Sequence, residues 1–322
     1  MTQVDILLAT YNGAKYLPEQ LASLEAQTHK DWRLIVRDDG SDDGSVDLIR
    51  HWANDVGRAL VVLEDGETRL GPAASFGRLI ERSDAPYFAC CDQDDFWMSH
   101  KVERLLSEIQ SLENELGADK PLLVHCDLDV VDANLNPTGK RFWEESHIAF
   151  VDLEPAQSFD RARASLLLQN VVTGCAMMGN ADLRQRATPV PDGVHVHDWW
   201  LALIAGYFGA VRAVDEPLIK YRQHGANTIG AKSWDPWSMF KRFLADPKGT
   251  VGKTILVLGK LQRQAGAFHD SFGDDLSDKD RDVVHEFSKL AEQSYLKRKT
   301  FMIRRAVYPS AWVRRFVLFC LI

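Results

Sequence analysis

Residues 87–91 (YFACC) form a run of small and apolar side chains that passes directly into carboxylates at Asp92, Asp94 and Asp95. The run reads as a buried strand, which puts the acids at a strand end. Carboxylates repel one another and resist desolvation, so such a cluster calls for a cation or for a helix N-terminus. The alternation of Asp92 and Asp94 suits a hard divalent ion, Mg²⁺ or Mn²⁺, which takes oxygen ligands and bridges to phosphate. Asp95 suits a cap on the following helix.

The same pattern, an apolar run closed by a polar loop, occurs twice upstream. Residues 4–9 (VDILLA) read as a strand broken by Thr10-Tyr11-Asn12-Gly13, and residues 32–37 (WRLIVR) as a strand ended by Asp38-Asp39-Gly40-Ser41. Between them Leu17, Leu21 and Leu24 mark one face of a helix that tolerates Pro18 in its first turns. A helix over 46–53, a strand over 60–63 and a helix carrying Phe76, Leu79 and Ile80 complete the first half. Strands alternating with helices predict an α/β protein with a Rossmann-like, mostly parallel sheet, whose ligands bind beyond the carboxyl ends of the strands. Thr10, Tyr11, Asn12, Asp39, Asp92 and Asp94 are therefore expected along one edge.

Downstream, Val102, Leu105, Leu106, Ile109 and Leu112 keep helical spacing and residues 122–131 (LLVHCDLDVV) read as a strand. Residues 132–137 are a turn, and the irregular stretch to about 159 suits a loop over the site. A helix over 161–168, a short strand over 174–178, a strand-like segment at 194–196, an apolar helix opened by Asp198 and a strand over 211–221 follow. Beyond Trp234 the pattern is helical, with a polar acidic linker over 273–282. The expected division is a catalytic domain over 1–230 and a helical region over 231–322.

Net charge is −8, which argues against a general nucleic-acid binder. The last 34 residues are the exception, with eight Lys or Arg against Glu292 alone. Arg304, Arg305, Arg314 and Arg315 interleave there with Trp312, Phe316 and Phe319, which fits attachment to anionic lipid; packing on the catalytic domain or on a second subunit of a homodimer is the other reading. Five cysteines without a CxxC pair imply buried, reduced thiols, and neither a signal peptide nor a spanning stretch is present, so a cytoplasmic chain is expected, at the inner face of the membrane if the tail docks there.

Ala9-Thr10-Tyr11-Asn12, Asp38-Asp39-Gly40-Ser41 and Asp92-Gln93-Asp94-Asp95-Phe96-Trp97, in this order, resemble the inverting family-2 glycosyltransferases of the GT-A fold. His197-Asp198-Trp199-Trp200 and Tyr221-Arg222-Gln223-His224-Gly225-Ala226-Asn227 are similar to the bacterial rhamnosyltransferase-type members, and the likeness covers residues 3–230. It implies transfer of a sugar, rhamnose first, from a dTDP- or UDP-sugar to a hydroxyl of a glycan or lipid-linked glycan in surface polysaccharide synthesis. By the same resemblance Thr10, Tyr11 and Asn12 line the nucleobase pocket and Asp39 accepts hydrogen bonds from base or ribose, while Asp38 serves the turn. Asp92 and Asp94 form the DXD motif, Asp94 as the direct ligand and Asp92 at the ribose or metal, and His224 completes the metal shell. Asp198 aligns with the general base; its bland reading is a helix N-cap. Gly174 lies under the donor sugar with Cys175, Arg222 meets the diphosphate, and Trp199 and Trp200 stack on acceptor sugars unless they pack the core. His195 and His197 alternate, so both could face one ligand.

A nucleotidyltransferase would carry a Gly-rich, basic N-terminal loop where Thr10-Tyr11-Asn12-Gly13 stands, and a processive synthase would need spanning helices and QxxRW. A non-catalytic nucleotide-sugar-binding or scaffold protein of the same fold is the remaining alternative. The presence of Asp92, Asp94 and Asp198 together argues against it.

Overall fold

The computed structural model describes residues 2–66, 69–146, 161–225, 245–305 and 307. The strands are β1 (Val4–Thr10), β2 (Trp32–Asp38), β3 (Leu60–Val62), β4 (Tyr87–Asp92), β5 (Phe96–Trp97), β6 (Leu122–Val131), β7 (Pro137–Arg141), β8 (Met177–Asn180) and β9 (Ala210–Arg222). They build one sheet in the order β3-β2-β1-β4-β8-β6-β9-β5, with β7 paired to β6 outside that path.

Side chains of a strand alternate between faces, and both faces here are covered. Ile6, Leu8, Ala89 and Cys91 point to one side, where α1 (Leu17–Glu25), α2 (Ser45–Asp55) and α4 (Lys101–Leu116) supply Leu21, Ile49 and Leu105. Leu7, Phe88 and Cys90 point to the other, against α3 (Pro72–Arg82) with Phe76 and Leu79. Short helices α5 (Phe142–Glu145) and α6 (Arg161–Ser165) precede α7 (Ala181–Ala187) and α8 (His197–Phe208). The last two pack on the α3 side, and α8 is buried nearly all round, as its unbroken apolar composition requires.

The sheet is more mixed than the expected mostly parallel one. The pairs β1–β2, β1–β4, β2–β3 and β6–β9 are parallel, but β8 runs antiparallel to both β4 and β6. A short run buried on both faces looks alike in either direction, so the sequence could not tell them apart. The strand expected over 174–178 begins later, because Gly174–Ala176 is a 3₁₀ turn. Residues 194–196 pair with no strand; Val196 is extended and leads into α8.

The C-terminal helices α9 (Pro247–Phe272), α10 (Asp278–Ser288) and α11 (Tyr295–Arg305) share the α3-side core. Phe268 of α9 meets the rings of Trp200 and Tyr207 at 5.9 and 5.1 Å, and Phe287 and Phe301 join α10 to α11. The acidic stretch after residue 273 is not an open linker. Ser277 accepts a bond from the Asp280 N–H and caps α10, and Asp278 and Asp280 sit in its first turn, where the helix dipole favours negative charge. The boundary expected near 230, Ala226 and Asn227, and the tail beyond residue 307 lie outside the described residues, as does most of the loop expected to end near 159. No helix among the described residues is long and apolar enough to cross a membrane.

Candidate active site

The register of the parallel strands brings the expected loops together. Thr10 lies opposite Asp38 and Ala9 opposite Asp92, so the loops after β1, β2 and β4 leave the sheet at one edge. Gln93 straps the first to the third: its Oε1 accepts from the Thr10 hydroxyl and the Tyr11 N–H at 2.7 and 2.8 Å, and its Nε2 donates to the Tyr11 carbonyl at 3.0 Å. Asn12, at φ 49, donates its N–H to Ser41 Oγ and accepts from the Asp42 N–H, linking the first loop to the second. Tyr11 keeps 42% of its surface exposed beside Arg69. Asp38 closes its own turn by accepting from the Gly40 and Ser41 N–H groups, as expected. Asp39 is buried and accepts from Arg37 and from the Leu70 and Gly71 N–H groups. Those bonds outweigh the cost of burial and hold its carboxyl below the usual range. Its carboxylate thus also anchors the start of α3.

The acid cluster divides in two. Asp94 Oδ2 lies 2.8 Å from His224 Nε2, and that imidazole stacks on Tyr16 at 4.5 Å. Asp92 lies with Asp95 and Cys175, whose ligand atoms all fall within 4.8 Å of one another. Burial first, then Asp94 and Asp198, push the Asp92 carboxyl up. Asp95 does not cap a helix, because β5 intervenes before α4. It is buried at β5's foot, accepts the Arg222 N–H on Oδ1, and has the Cys175 thiol beside its carboxylate. Beneath the cluster Lys101, fully buried, donates to the Cys175 carbonyl at 2.7 Å and rests over the Trp97 ring; burial lowers its ammonium to about 8. Asp94 stands close enough to Asp92 to raise it and carries the His224 imidazole, so these two hard carboxylates fit a divalent ion; the Cys175 thiol grouped with Asp92 and Asp95 is the soft member of the other set.

Asp198 is the second residue of α8 rather than its N-cap, which is Val196. Its carboxylate accepts from the Trp199 N–H at 2.6 Å and also bonds the Gly174 N–H and the Asn170 side chain. Burial pushes it up to about 7, and it stands close enough to Asp92 to raise that acid too. Gly174 matters by its smallness: a Cβ there would sit 2.7 Å from His197 Nε2 and 3.6 Å from Asp198 Oδ2. His197 is buried, stacked on Phe76 at 3.9 Å, and kept neutral, its imidazole lowered to about 3 by burial. The His195 backbone N–H donates to Gln264 of α9 and its imidazole feels Lys260 and Arg263 of that helix, whereas the His197 ring stacks on Phe76, so the two histidines do not face one ligand.

Three expected contacts are corrected. Trp200 is 1% exposed, donates its indole N–H to the Ala187 carbonyl and packs on Phe268, so it belongs to the core. Trp199 is likewise buried and donates to the Leu166 carbonyl. Neither ring offers a face to an acceptor. Arg222 is buried and its guanidinium is engaged by the protein itself: it donates to the Asp94 and Ala133 carbonyls and to Glu19 and lies over the Tyr16 ring, bracing the acid loop. Gln93, Lys101 and Asn170 join the site without a motif role of their own. The only available signal was a lysine inside the apolar stripe of α4.

Residues 5–120 match the sequence profile of Glycosyl transferase family 2. That stretch of the chain is therefore a family-2 glycosyltransferase segment. Uncharacterized glycosyltransferases of Rickettsia typhi and Rickettsia prowazekii are each 25% identical to it, over 70% and 81% of this chain and 65% and 76% of their own lengths. The chain thus spans about two thirds to three quarters of these relatives. A Bacillus subtilis relative named for teichuronic acid biosynthesis, TuaG, is 32% identical over 32% of this chain and 40% of its own. Among solved structures, Staphylococcus aureus TarS in complex with UDP superposes with a TM-score of 0.51 at 13% identity, covering 92% of this chain and 91% of that one. The mannosyltransferase PcManGT of Pyrobaculum calidifontis, solved with GDP-Man and Mn²⁺, gives 0.50 at 18% identity, covering 94% and 86%. The chain therefore has the GT-A fold.

Proposed function

We propose that this chain transfers a sugar, rhamnose first among the candidates, from a dTDP- or UDP-linked donor to a hydroxyl of a glycan or lipid-linked glycan, with inversion at the anomeric carbon. The product belongs to bacterial surface polysaccharide, a class supported by the TuaG likeness, and a lipid-linked acceptor puts the reaction at the inner membrane face. The carrying observation is Asp198, a carboxylate raised to about 7 and fixed by three donors within electrostatic reach of Asp92.

In this reading the exposed ring of Tyr11, with Thr10, Asn12 and Asp39, receives the nucleoside, and the Gln93 strap keeps that pocket in register with the acids. Asp92, Asp94 and His224 would hold Mg²⁺ or Mn²⁺, and an ion there would supply positive charge against the diphosphate leaving group. Asp198 takes the acceptor hydroxyl proton as that oxygen attacks the anomeric carbon from the face opposite the leaving group. His197, neutral and wedged between Phe76 and Gly174, holds the α8 N-terminus so that Asp198 Oδ2 stays directed past Gly174.

The test is a panel of nucleotide sugars scored by thermal shift with and without Mn²⁺, followed by transfer assays on Asp198→Asn. Metal-dependent stabilisation by a pyrimidine nucleoside diphosphate, with transfer lost and donor binding kept in the variant, is the expected result. No metal-dependent shift from any donor would overturn the reading, and full transfer by the variant would remove Asp198 from it.

A further inference from the structure

We infer that α11 is a docking helix for an anionic lipid bilayer, a conclusion independent of the transfer reaction proposed above. The helix covers Tyr295–Arg305 and turns Phe301 and Met302 inward. Its outward arc is unlike an ordinary solvated face. Leu296 and Ile303, seven residues apart and so nearly eclipsed on the helix, are 75% and 58% exposed. Tyr295 stands beside them at 53%. Lys297 and Arg304 form a second stripe one position along, again seven apart, and neither has an ion pair among the described residues. Single exposed apolar residues are ordinary, whereas neighbouring ones rimmed by polar groups mark protein or membrane contact sites.

Charge identifies the occupant. The chain is acidic overall, yet α11 holds five Lys or Arg and no acid. A groove of about 650 Å³ opens beside it, lined by Lys289, Lys297, Thr300, Arg304 and Arg305, with Leu290 and Phe301 at its base. Arg305 is the cation there tied to an acid, Glu286. An apolar stripe flanked by cations over a basic groove matches an interface where acyl chains lie under phosphate headgroups. The sequence after α11 continues the pattern with Trp312, Arg314, Arg315 and Phe316. A protein partner would need an acidic, apolar surface of its own, and a second copy would set like charges against each other.

The experiment is co-sedimentation of the full chain with phosphatidylcholine vesicles and with vesicles that also contain phosphatidylglycerol. Partition onto the phosphatidylglycerol vesicles is expected, reversed by high salt. Two double variants, Leu296→Glu with Ile303→Glu and Lys297→Glu with Arg304→Glu, should each lower it roughly tenfold or more. Circular dichroism and the nucleotide thermal shift, unchanged, would show that both variants fold. Equal partition onto both vesicle types at low salt overturns the inference. So does undiminished binding by both variants, which would put attachment on the exposed Ile255, Leu256 and Val257 of α9 or on the tail. A concentration-dependent dimer abolished by the first variant would assign the stripe to a second copy instead.

Discussion

At the scale of single residues, Asp198 and Gly174 form a unit. A base must be ionised to accept a proton, so turnover should rise with pH along a limb centred near 7, the value to which burial pushes Asp198. Asp198→Asn should flatten that limb and lower kcat by about 10²–10⁴-fold, with donor affinity within twofold or so. Initial-rate profiles from pH 5.5 to 8.5 check both. Gly174→Ala carries a different prediction: the added methyl would press on His197 at 2.7 Å, and the buried ring has Phe76 on its other side. The expected result is a fall in kcat larger than any rise in donor KM, because Asp198 moves while the nucleotide loops do not. These two residues were legible as candidates, but their contact was not, since 24 positions of chain separate them.

At the scale of elements, the strand-end loops work as one laced assembly. The strap from Gln93 requires Gly13, where a Cβ would fall 2.3 Å from Gln93 Oε1. Gly13→Ala is therefore expected to expel the amide and weaken nucleotide binding at least several-fold, measured by calorimetry, with a smaller loss of melting temperature. Gln93→Ala should reproduce the binding loss without the steric strain. Arg222 braces the acid loop through the Asp94 and Ala133 carbonyls. Replacing it by Met removes charge-assisted hydrogen bonds worth about 1.5–3 kcal/mol each before compensation, and urea unfolding should show a loss of at least one such bond. The motifs named the loops; which side chains lace them follows from register, and a one-residue slip would undo it.

At the scale of the molecule, the helical region is continuous with the catalytic core. Phe268 lies against Trp200 and Tyr207 of α8, the helix that carries Asp198 near its start. Phe268→Ala should cost about 3–5 kcal/mol in a single unfolding transition, since a separable appendage would instead melt on its own. Acid stability has its own anchor in Asp5, fully buried in β1 and bonded by Arg33, Ser83 and the Ala85 N–H. Burial opposes its charge, but those bonds prevail and its carboxyl lies below the ordinary 3.8. A depressed folded value means that the stabilisation is fully present above pH 3.8 and is lost as pH falls through the folded pKa. Asp5→Asn should therefore lower stability at pH 7 and narrow the gap to wild type in strong acid.

The chain alone determined the α/β alternation, the extent of β6, the strand-end position of each polar loop and the family resemblance carried by those loops. These are local quantities: hydrophobic period, turn chemistry and spacing are written in neighbouring residues. Tertiary structure decided the rest. It set the direction of β8, turned Trp199, Trp200 and Arg222 inward, seated Lys101 beneath the acids, and brought Gly174 against Asp198. Each depends on contacts between segments far apart in the chain, where burial and register choose among arrangements that a single segment leaves equally open.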